Sequence, residues 1–487
     1  MNHFSKARDK ASESLQQTVT PHGVFATELR LDPNYSLAKN SSARPGFFTR
    51  TFLSRFQNLI GGQLTIVDAA GINKIKTKVN GNSTEASLAA TAVVGSHDLF
   101  KQVVFSGTIG SAESYMDGQW VSDDLTSLIR IMIRNMDRFS NLEKGWGRIK
   151  SRLNFFKHLS RKNTITGSRK NIQDHYDLGN DFYQLFLDPT LNYSSGIFES
   201  PNPDAQDASD MHDASTRKMD TICRKLRLNS LDHVLEIGTG WGGMAIHMAQ
   251  HFGCHVTTTT ISKEQHKVAV ERVEAAGLSD RVTVLLKDYR LLEGKFDKIV
   301  SIEMIEAVGH EFYDEYFSRC SKLLTDDGVM LLQAITIGEG NYDYHIRNVD
   351  FIRKYVFPGG CLPSVSALSQ SVGRMTDMRM LCQEDITPHY VKTLAYWRHQ
   401  FMGQLSEVRN LGYDERFIRL WHFYLCYCEA AFAERRVHSI HLMFAKPNCP
   451  IDPAVDFHER KRSVRSNLLN KKPIENRSSP HIAAKSK

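Results

Sequence analysis

Long apolar runs are the plainest lack of this 487-residue chain: no uninterrupted stretch reaches the ~18–20 residues that a membrane-spanning helix needs. The opening residues, MNHFSKARDKASES, lack the apolar core of a secretory signal, so a cytoplasmic protein is expected. Cysteine is sparse: of eight, only Cys426 and Cys428 lie close, and that spacing fits neither a zinc knuckle nor a redox pair. Reduced thiols and no metal site are therefore expected. No internal repeat is visible. Also missing is the acidic residue that a dinucleotide-binding glycine turn expects at the end of the next strand, which argues against a dinucleotide dehydrogenase. With 41% hydrophobic residues, the chain can bury a sizeable core, in two or more domains by the usual length prior.

The net charge of +7 is unevenly spread. Residues 140–170 hold nine Lys/Arg against Glu143 alone, and residues 459–487 hold nine against Glu459 and Glu475. These two segments exceed the whole net charge, so the remainder is mildly acidic. Local basic segments suit phospholipid headgroups or another polyanion, or are simply solvated chain.

The pattern divides the chain into five parts. Residues 1–45 read as a flexible extension, and 46–135 as a small α+β domain with apolar runs QLTIVDAAG and KQVVFSGTIG before a helical LTSLIRIMIRNM. Residues 136–170 form a basic linker with Trp146, Leu153, Phe155 and Phe156 interleaved, suited to a membrane surface or to packing on the main domain. Residues 171–446 alternate strands and helices, and 447–487 form a basic, disordered tail. Strand-like runs are HVLEIG, CHVTTTTI, RVTVLLKD, FDKIVSIEM, GVMLLQAITI and a late SIHLMFAK, with helices near 242–252, 263–276 and 311–324. This alternation predicts an α/β fold, a doubly wound and mostly parallel sheet of Rossmann-like type. The region after residue 340 reads as an irregular FPGGCLP loop followed by aromatic-rich helices.

The turn after the first strand is Gly238-Thr-Gly240-Trp-Gly242-Gly243. A strand, a glycine turn and a helix bring backbone N–H groups against an adenosine-containing ligand. Where a dinucleotide site needs an acid, this chain has Thr257 to Thr260, Ile261 and Ser262. Glu236 inside the strand and a wide glycine loop fit S-adenosylmethionine better, since that cofactor has no pyrophosphate to cradle.

Flanking blocks carry a closer likeness. HYDLGNDFYQLFLDPTLNYSSGIF precedes the loop, and TISKEQ, KDYR, IEMIEAVGHEFYDEYF, FPGGCLPS, HYVKTLAYWRHQF and WHFYLCYCEAAFAERRVH follow it. With Gly110, Glu113, Tyr115, Gly118 and Trp120 in the small domain, these blocks cover residues ~60–446 and are highly specific together. The chain resembles the cyclopropane fatty-acyl-phospholipid synthases, a family similar to the mycolic acid cyclopropane synthases.

The resemblance implies a seven-stranded methyltransferase sheet and methyl transfer from S-adenosylmethionine to a cis double bond of a phospholipid acyl chain. It implies a bicarbonate ion as the base that removes a methyl proton to close a ring. Glu306, Tyr390, Gln333, Ser195 and the backbone of Ile335 occupy the family's anion-site positions. Two depart from the commoner bacterial pattern, Ser195 standing for cysteine and Gln333 for histidine; neither carries histidine's titratable charge. A methyl- or methylene-branched product is the alternative outcome. The cofactor would be held by Tyr193, Ser194, Gly238, Gly240, Gly242, Thr260, Gln265, Asp288, Tyr289 and Arg290.

Each position also has a plainer reading. The glycines would serve a tight turn, Ser262 an N-cap, Asp288 a strand-end turn, Glu306 a helix start and Tyr390 a satisfied core tyrosine. Cys361 reads as core or as lipid-pocket lining. The aromatics between 390 and 432 divide, in unknown proportion, between core and an acyl groove. Access to bilayer lipid would be peripheral, through the small domain and the linker; a homodimer is compatible with the sequence. A nucleic-acid methyltransferase is disfavoured because the fourth strand ends IEMIEAVG rather than N-P-P-Y. A non-catalytic lipid- or cofactor-binding protein is disfavoured because Glu306 and Tyr390 are both present.

Overall fold

The computed structural model describes residue 29 and residues 59–68, 71–75, 88–96, 98–136, 178–202 and 210–451. The N-terminal extension, the basic linker and the basic tail therefore lie outside the described residues, apart from Leu29, Met136 and residues 447–451.

The small unit runs β1 (Gly62–Asp68), β2 (Gly71–Ile75), β3 (Leu88–Val94), α1 (Asp98–Met116), β4 (Trp120–Ser122) and α2 (Leu125–Arg134). Its sheet has the order β2-β1-β3-β4, with β1 parallel to β3 and both outer pairings antiparallel. QLTIVD is a strand as read, but KQVVFSGTIG lies inside α1, which kinks at Gly107 with φ 52° and ψ −133°. Local propensity misleads there because Val103, Val104, Phe105 and Ile109 line a cavity, so tertiary surroundings override the β preference of the run. Helix α2 starts on Asp124, whose carboxylate accepts from the Ser127 N–H at 2.9 Å.

The large unit continues with α3 (Asn180–Gln184), α4 (Met211–Leu226), β5 (His233–Ile237), α5 (Gly243–Phe252), β6 (His255–Thr260) and α6 (Lys263–Ala275). Next come β7 (Val282–Leu286), β8 (Phe296–Ile302), α7 (Tyr313–Leu323), β9 (Leu324–Ile337), α8 (Glu339–Arg347) and α9 (Phe351–Tyr355). It ends with α10 (Val365–Met375), β10 (Arg379–Asp385), α11 (Thr387–Gly403), α12 (Leu405–Asn410), α13 (Glu415–Ala433) and β11 (Val437–Ala445). The seven strands have the order β10-β11-β9-β8-β5-β6-β7. β9, β8, β5, β6 and β7 are mutually parallel, and β11 runs antiparallel to both of its neighbours. The doubly wound α/β sheet is as expected. β10 is the strand the pattern missed: it is an edge strand, largely exposed, whose RMLCQED has no apolar alternation to read.

Both faces of this sheet are covered, which is why its strands read as near-continuous apolar runs. Leu235, Ile299 and Leu332 face α7 and α10, while Val234, Val300 and Leu331 face α4 and α5. A third cluster crosses from the small unit into the large one: Phe100, Tyr115 and Ile131 pack with Phe182, Trp397, Trp421 and Phe423. Arg130 and Arg134 of α2 pair with Glu434 at 2.8 and 2.7 Å. The small unit thus shares a core with α11 and α13.

Candidate active site

One continuous cavity of about 1130 Å³ opens at the carboxyl ends of β5, β6 and β8 and runs into the small unit. Gly238, Gly240, Glu236, Tyr193, Ser194, Thr260, Gln265, Asp288, Tyr289 and Arg290 line its polar end. Leu64, Ile66, Ala92 and Val94 from the small sheet, with Phe100 and Val103 of α1, line its apolar end. Tyr390, Phe423, Tyr424 and Phe432 wall the passage between. This settles which aromatics are which, since Trp397, Phe401 and Trp421 are core and do not reach the cavity.

The glycine turn is built for close approach. Gly238 has φ 104°, a region that side chains disfavour, and a Cβ on Gly243 would stand 2.5 Å from the Thr190 carbonyl oxygen. Helix α5 begins at Gly243 with no side-chain cap, so its first N–H groups stay available beside the turn. Gly242 does not line the cavity; a Cβ there would meet Ala269 of α6 at 3.3 Å, so its smallness serves helix packing. Ser262 caps α6 by accepting from the Gln265 N–H at 3.2 Å, and the Thr260 hydroxyl donates to Gln265 Oε1 at 3.0 Å. Asp288 is engaged by Arg290, which donates its Nε at 2.9 Å and Nη2 at 2.7 Å. Glu236 accepts from the Thr258 hydroxyl at 2.6 Å, and burial pushes its carboxyl up to about 8.

Below the turn stand two half-buried glutamates, both lining the cavity. Glu306 accepts the Ile335 backbone N–H through Oε1, while its buried Oε2 has no hydrogen-bond partner. Burial, reinforced by the charge of Glu303, raises its carboxyl to about 8. A buried, unpartnered carboxylate oxygen facing a cavity suits a cationic group there, such as a sulfonium.

The second carboxylate, Glu303, was not singled out from the sequence. Its Oε1 accepts from the Ser195 N–H at 3.1 Å and from Gln333 Nε2 at 2.7 Å, and its Oε2 accepts from the Tyr390 hydroxyl at 2.7 Å. Three of the four donors expected beside Glu306 to hold a small anion therefore converge on Glu303, and the fourth, Ile335, is spent on Glu306. Ser195 takes part through its backbone, its hydroxyl donating to the Gly196 carbonyl at 3.0 Å, so serine for cysteine alters no contact to the carboxylate. Burial raises the Glu303 carboxyl, and the donors from Tyr390, Ser195 and Gln333 pull it back. A bicarbonate ion does not fit this arrangement, because its expected donors are engaged and two carboxylates would adjoin it.

Two further groups escaped sequence reasoning. His441 of β11 lies directly across from Gln333 of β9 and meets its Oε1 at 3.0 Å, and Lys225 Nζ donates to His441 Nδ1 at 2.7 Å. The only sign in sequence was a histidine inside the apolar run SIHLMFA. Lys218 is fully buried on α4 and donates to the Ser194 hydroxyl at 2.9 Å. Burial pulls its ammonium down to about 8 against Glu303, Asp188 and Glu236, which hold it up. Nothing in the spacing of α4 marks it out.

This sheet, with a glycine turn opening on a buried polar cavity, defines an S-adenosylmethionine-dependent methyltransferase. Residues 163–442 match the mycolic acid cyclopropane synthetase family. The chain belongs to that family, as its motifs indicate. It is 36% identical over 371 residues to the cyclopropane-fatty-acyl-phospholipid synthase of Escherichia coli K12, covering 75% of this chain and 90% of that one. It is 36% identical over 335 residues to a tuberculostearic acid methyltransferase of Mycobacterium tuberculosis, covering 69% and 78%. Among solved structures, a mycolic acid cyclopropane synthase complexed with SAH and CTAB superposes with a TM-score of 0.53 at 30% identity, over 57% of this chain and 98% of that one.

Proposed function

We propose that this methyltransferase adds a methyl group to a cis double bond of a phospholipid acyl chain and closes it to a cyclopropane ring. The observation that carries this is the single cavity joining the glycine turn to a predominantly aliphatic and aromatic lobe in the small unit. An alkene is a feeble nucleophile, so it must be held in line with the donor in a dry site. The cofactor, when bound, supplies an electrophilic methyl group on a sulfonium. Gly238, Gly240, Tyr193, Ser194, Thr260, Gln265, Asp288, Tyr289 and Arg290 are its holders in this reading, with Gly242 packing the turn on α6. Glu306, with its free oxygen, offsets the positive charge that develops on the chain. Tyr390, Gln333, Ser195 and Ile335 position the two carboxylates. The family's bicarbonate finds no free donors of its expected set, so no step is routed through it.

The acyl chain is taken from a bilayer by peripheral contact through the small unit, where the apolar lobe lies. Among the described residues no helix is long and apolar enough to cross a membrane. A methyl- or methylene-branched product that keeps a double bond is the second reading, favoured by the likeness to a tuberculostearic acid methyltransferase at the same identity.

Expression in bacteria lacking their own cyclopropane synthase, followed by gas chromatography and mass spectrometry of the fatty acid methyl esters, tests this. A fatty acid one methylene heavier that resists mild hydrogenation supports the ring, and one that still takes up hydrogen supports branching. No change in any lipid refutes both readings.

A further inference from the structure

Glu303 stands at the end of β8 in an uncommon state. Its φ is +48°, a left-handed conformation that a non-glycine residue adopts at a cost, and it follows Ile302 at the mouth of the cavity. The strained backbone aims the carboxylate at three donors from three separate elements: the loop at Ser195, strand β9 at Gln333 and helix α11 at Tyr390. These donors are three of the groups that the family resemblance assigns to bicarbonate. A carboxylate and a bicarbonate present the same planar pair of oxygens to such a set.

We infer that Glu303 is the resident proton acceptor of the reaction, its carboxylate doing within the chain what a bicarbonate ion would otherwise do. The inference rests on the methyl transfer proposed above. Once the methyl group is on the chain, the neighbouring carbon is a cation. A C–H bond of the added methyl breaks, and its electron pair forms the C–C bond that closes the ring. The proton passes to Glu303, which becomes a neutral acid and returns it to water when the site reopens.

Three accepted hydrogen bonds leave the carboxylate further lone-pair capacity for that proton. Burial makes it a stronger base than an exposed carboxylate, and Lys218 keeps a positive charge within electrostatic reach. Glu306 differs in having no converging set of side-chain donors to orient it, the Ile335 N–H alone meeting its Oε1.

The test uses the purified full-length protein, S-adenosylmethionine and vesicles of dioleoyl phosphatidylglycerol in buffer stripped of carbon dioxide. Wild type is expected to work equally well with and without added bicarbonate. Glu303→Gly suits the positive φ, so the chain should fold, and unaltered binding of S-adenosylhomocysteine checks this. That variant should lose at least ~100-fold in rate, the usual worth of a positioned base. Added bicarbonate should restore part of the rate by entering the vacated donor set. Glu303→Gln, which fills the space without a basic oxygen, should be equally slow and should not be rescued. Wild-type activity that depends on bicarbonate, or a Glu303→Gly variant that keeps full rate without it, overturns the inference while leaving the methyl transfer intact. Wild type inactive under both conditions overturns the proposed function itself.

Discussion

Gln333 and His441 face each other across the β9–β11 ladder, and their hydrogen bond can run in only one sense. Lys225 approaches His441 Nδ1 at 2.7 Å, and a protonated ammonium can only donate. Nδ1 must therefore accept, so the imidazole proton sits on Nε2 and points at Gln333 Oε1. Burial, aided by Lys225 and Lys218, holds the ring neutral by pushing its pKa well below the usual value. With its oxygen fixed, Gln333 has to turn its NH2 toward Glu303. A buried lysine thus sets which end of an amide meets a carboxylate.

Removing that fixation has a predicted cost. His441→Leu should slow product formation about tenfold, the scale of one hydrogen bond of ~1–1.5 kcal/mol. Affinity for S-adenosylhomocysteine should be unchanged. Gln333→Leu should do the same, and the double variant should be no slower than either alone, because both act through Glu303. Rates that multiply in the double variant would show two independent roles.

Glu306 links activity to stability. Its carboxyl is raised to about 8 in the folded protein from an ordinary value near 4.5. A raised folded pKa contributes stability that is full below the unfolded value and is lost as pH rises through the folded one. Stability should therefore fall between about pH 4.5 and 8, with Glu236, also raised to about 8, acting in the same direction. Glu306→Gln should flatten part of that slope and stabilise the protein at pH 8 by ~1–3 kcal/mol, the scale of an unsatisfied buried polar group. The same variant should form product at least ~100-fold more slowly. Thermal unfolding measured at several pH values, together with turnover, checks both halves.

The far end of the cavity should measure the acyl chain. Ala92 lies on β3 among the aliphatic lining, and Ala92→Phe fills that end without touching the polar site. Longer unsaturated chains should lose turnover relative to shorter ones, with S-adenosylhomocysteine affinity unchanged. Competition between vesicles of different chain length reads this directly. An unaltered preference would move the chain terminus elsewhere.

The small unit should not be dispensable for folding. Deleting residues 1–136 removes Tyr115 from Phe423 and His422 and strips Glu434 of both arginine partners. The shortened chain should aggregate or lose cooperative unfolding by calorimetry. A shortened protein melting at the full-length temperature would contradict the shared core.

Six strands of the large sheet, with helices α5, α6 and α7, were legible because burial on both faces writes the strands as apolar runs between turns. β10 was not, since an exposed edge strand carries no such pattern. KQVVFSGTIG was misread because its β-branched residues face a cavity whose existence depends on residues from the other unit. At the site, the glycine turn and the residues expected beside a cofactor were legible as motifs, and all of them but Gly242, which packs on α6, line the cavity. Glu306, Tyr390, Gln333 and Ser195 were legible as positions but not in their contacts. Glu303 stands three residues before Glu306 in EMIE, and only the geometry shows that the donors meet it. Lys218 and His441 come from distant segments, so their convergence is a product of topology alone.

The most direct measurement gives the purified protein vesicles of dioleoyl phosphatidylglycerol and S-adenosylmethionine whose methyl group carries three deuterons. Ring closure by loss of one methyl deuteron predicts an acyl chain that gains a CD2 group and no longer has its double bond. Deuterium absent from the acyl chain after prolonged incubation would contradict the account.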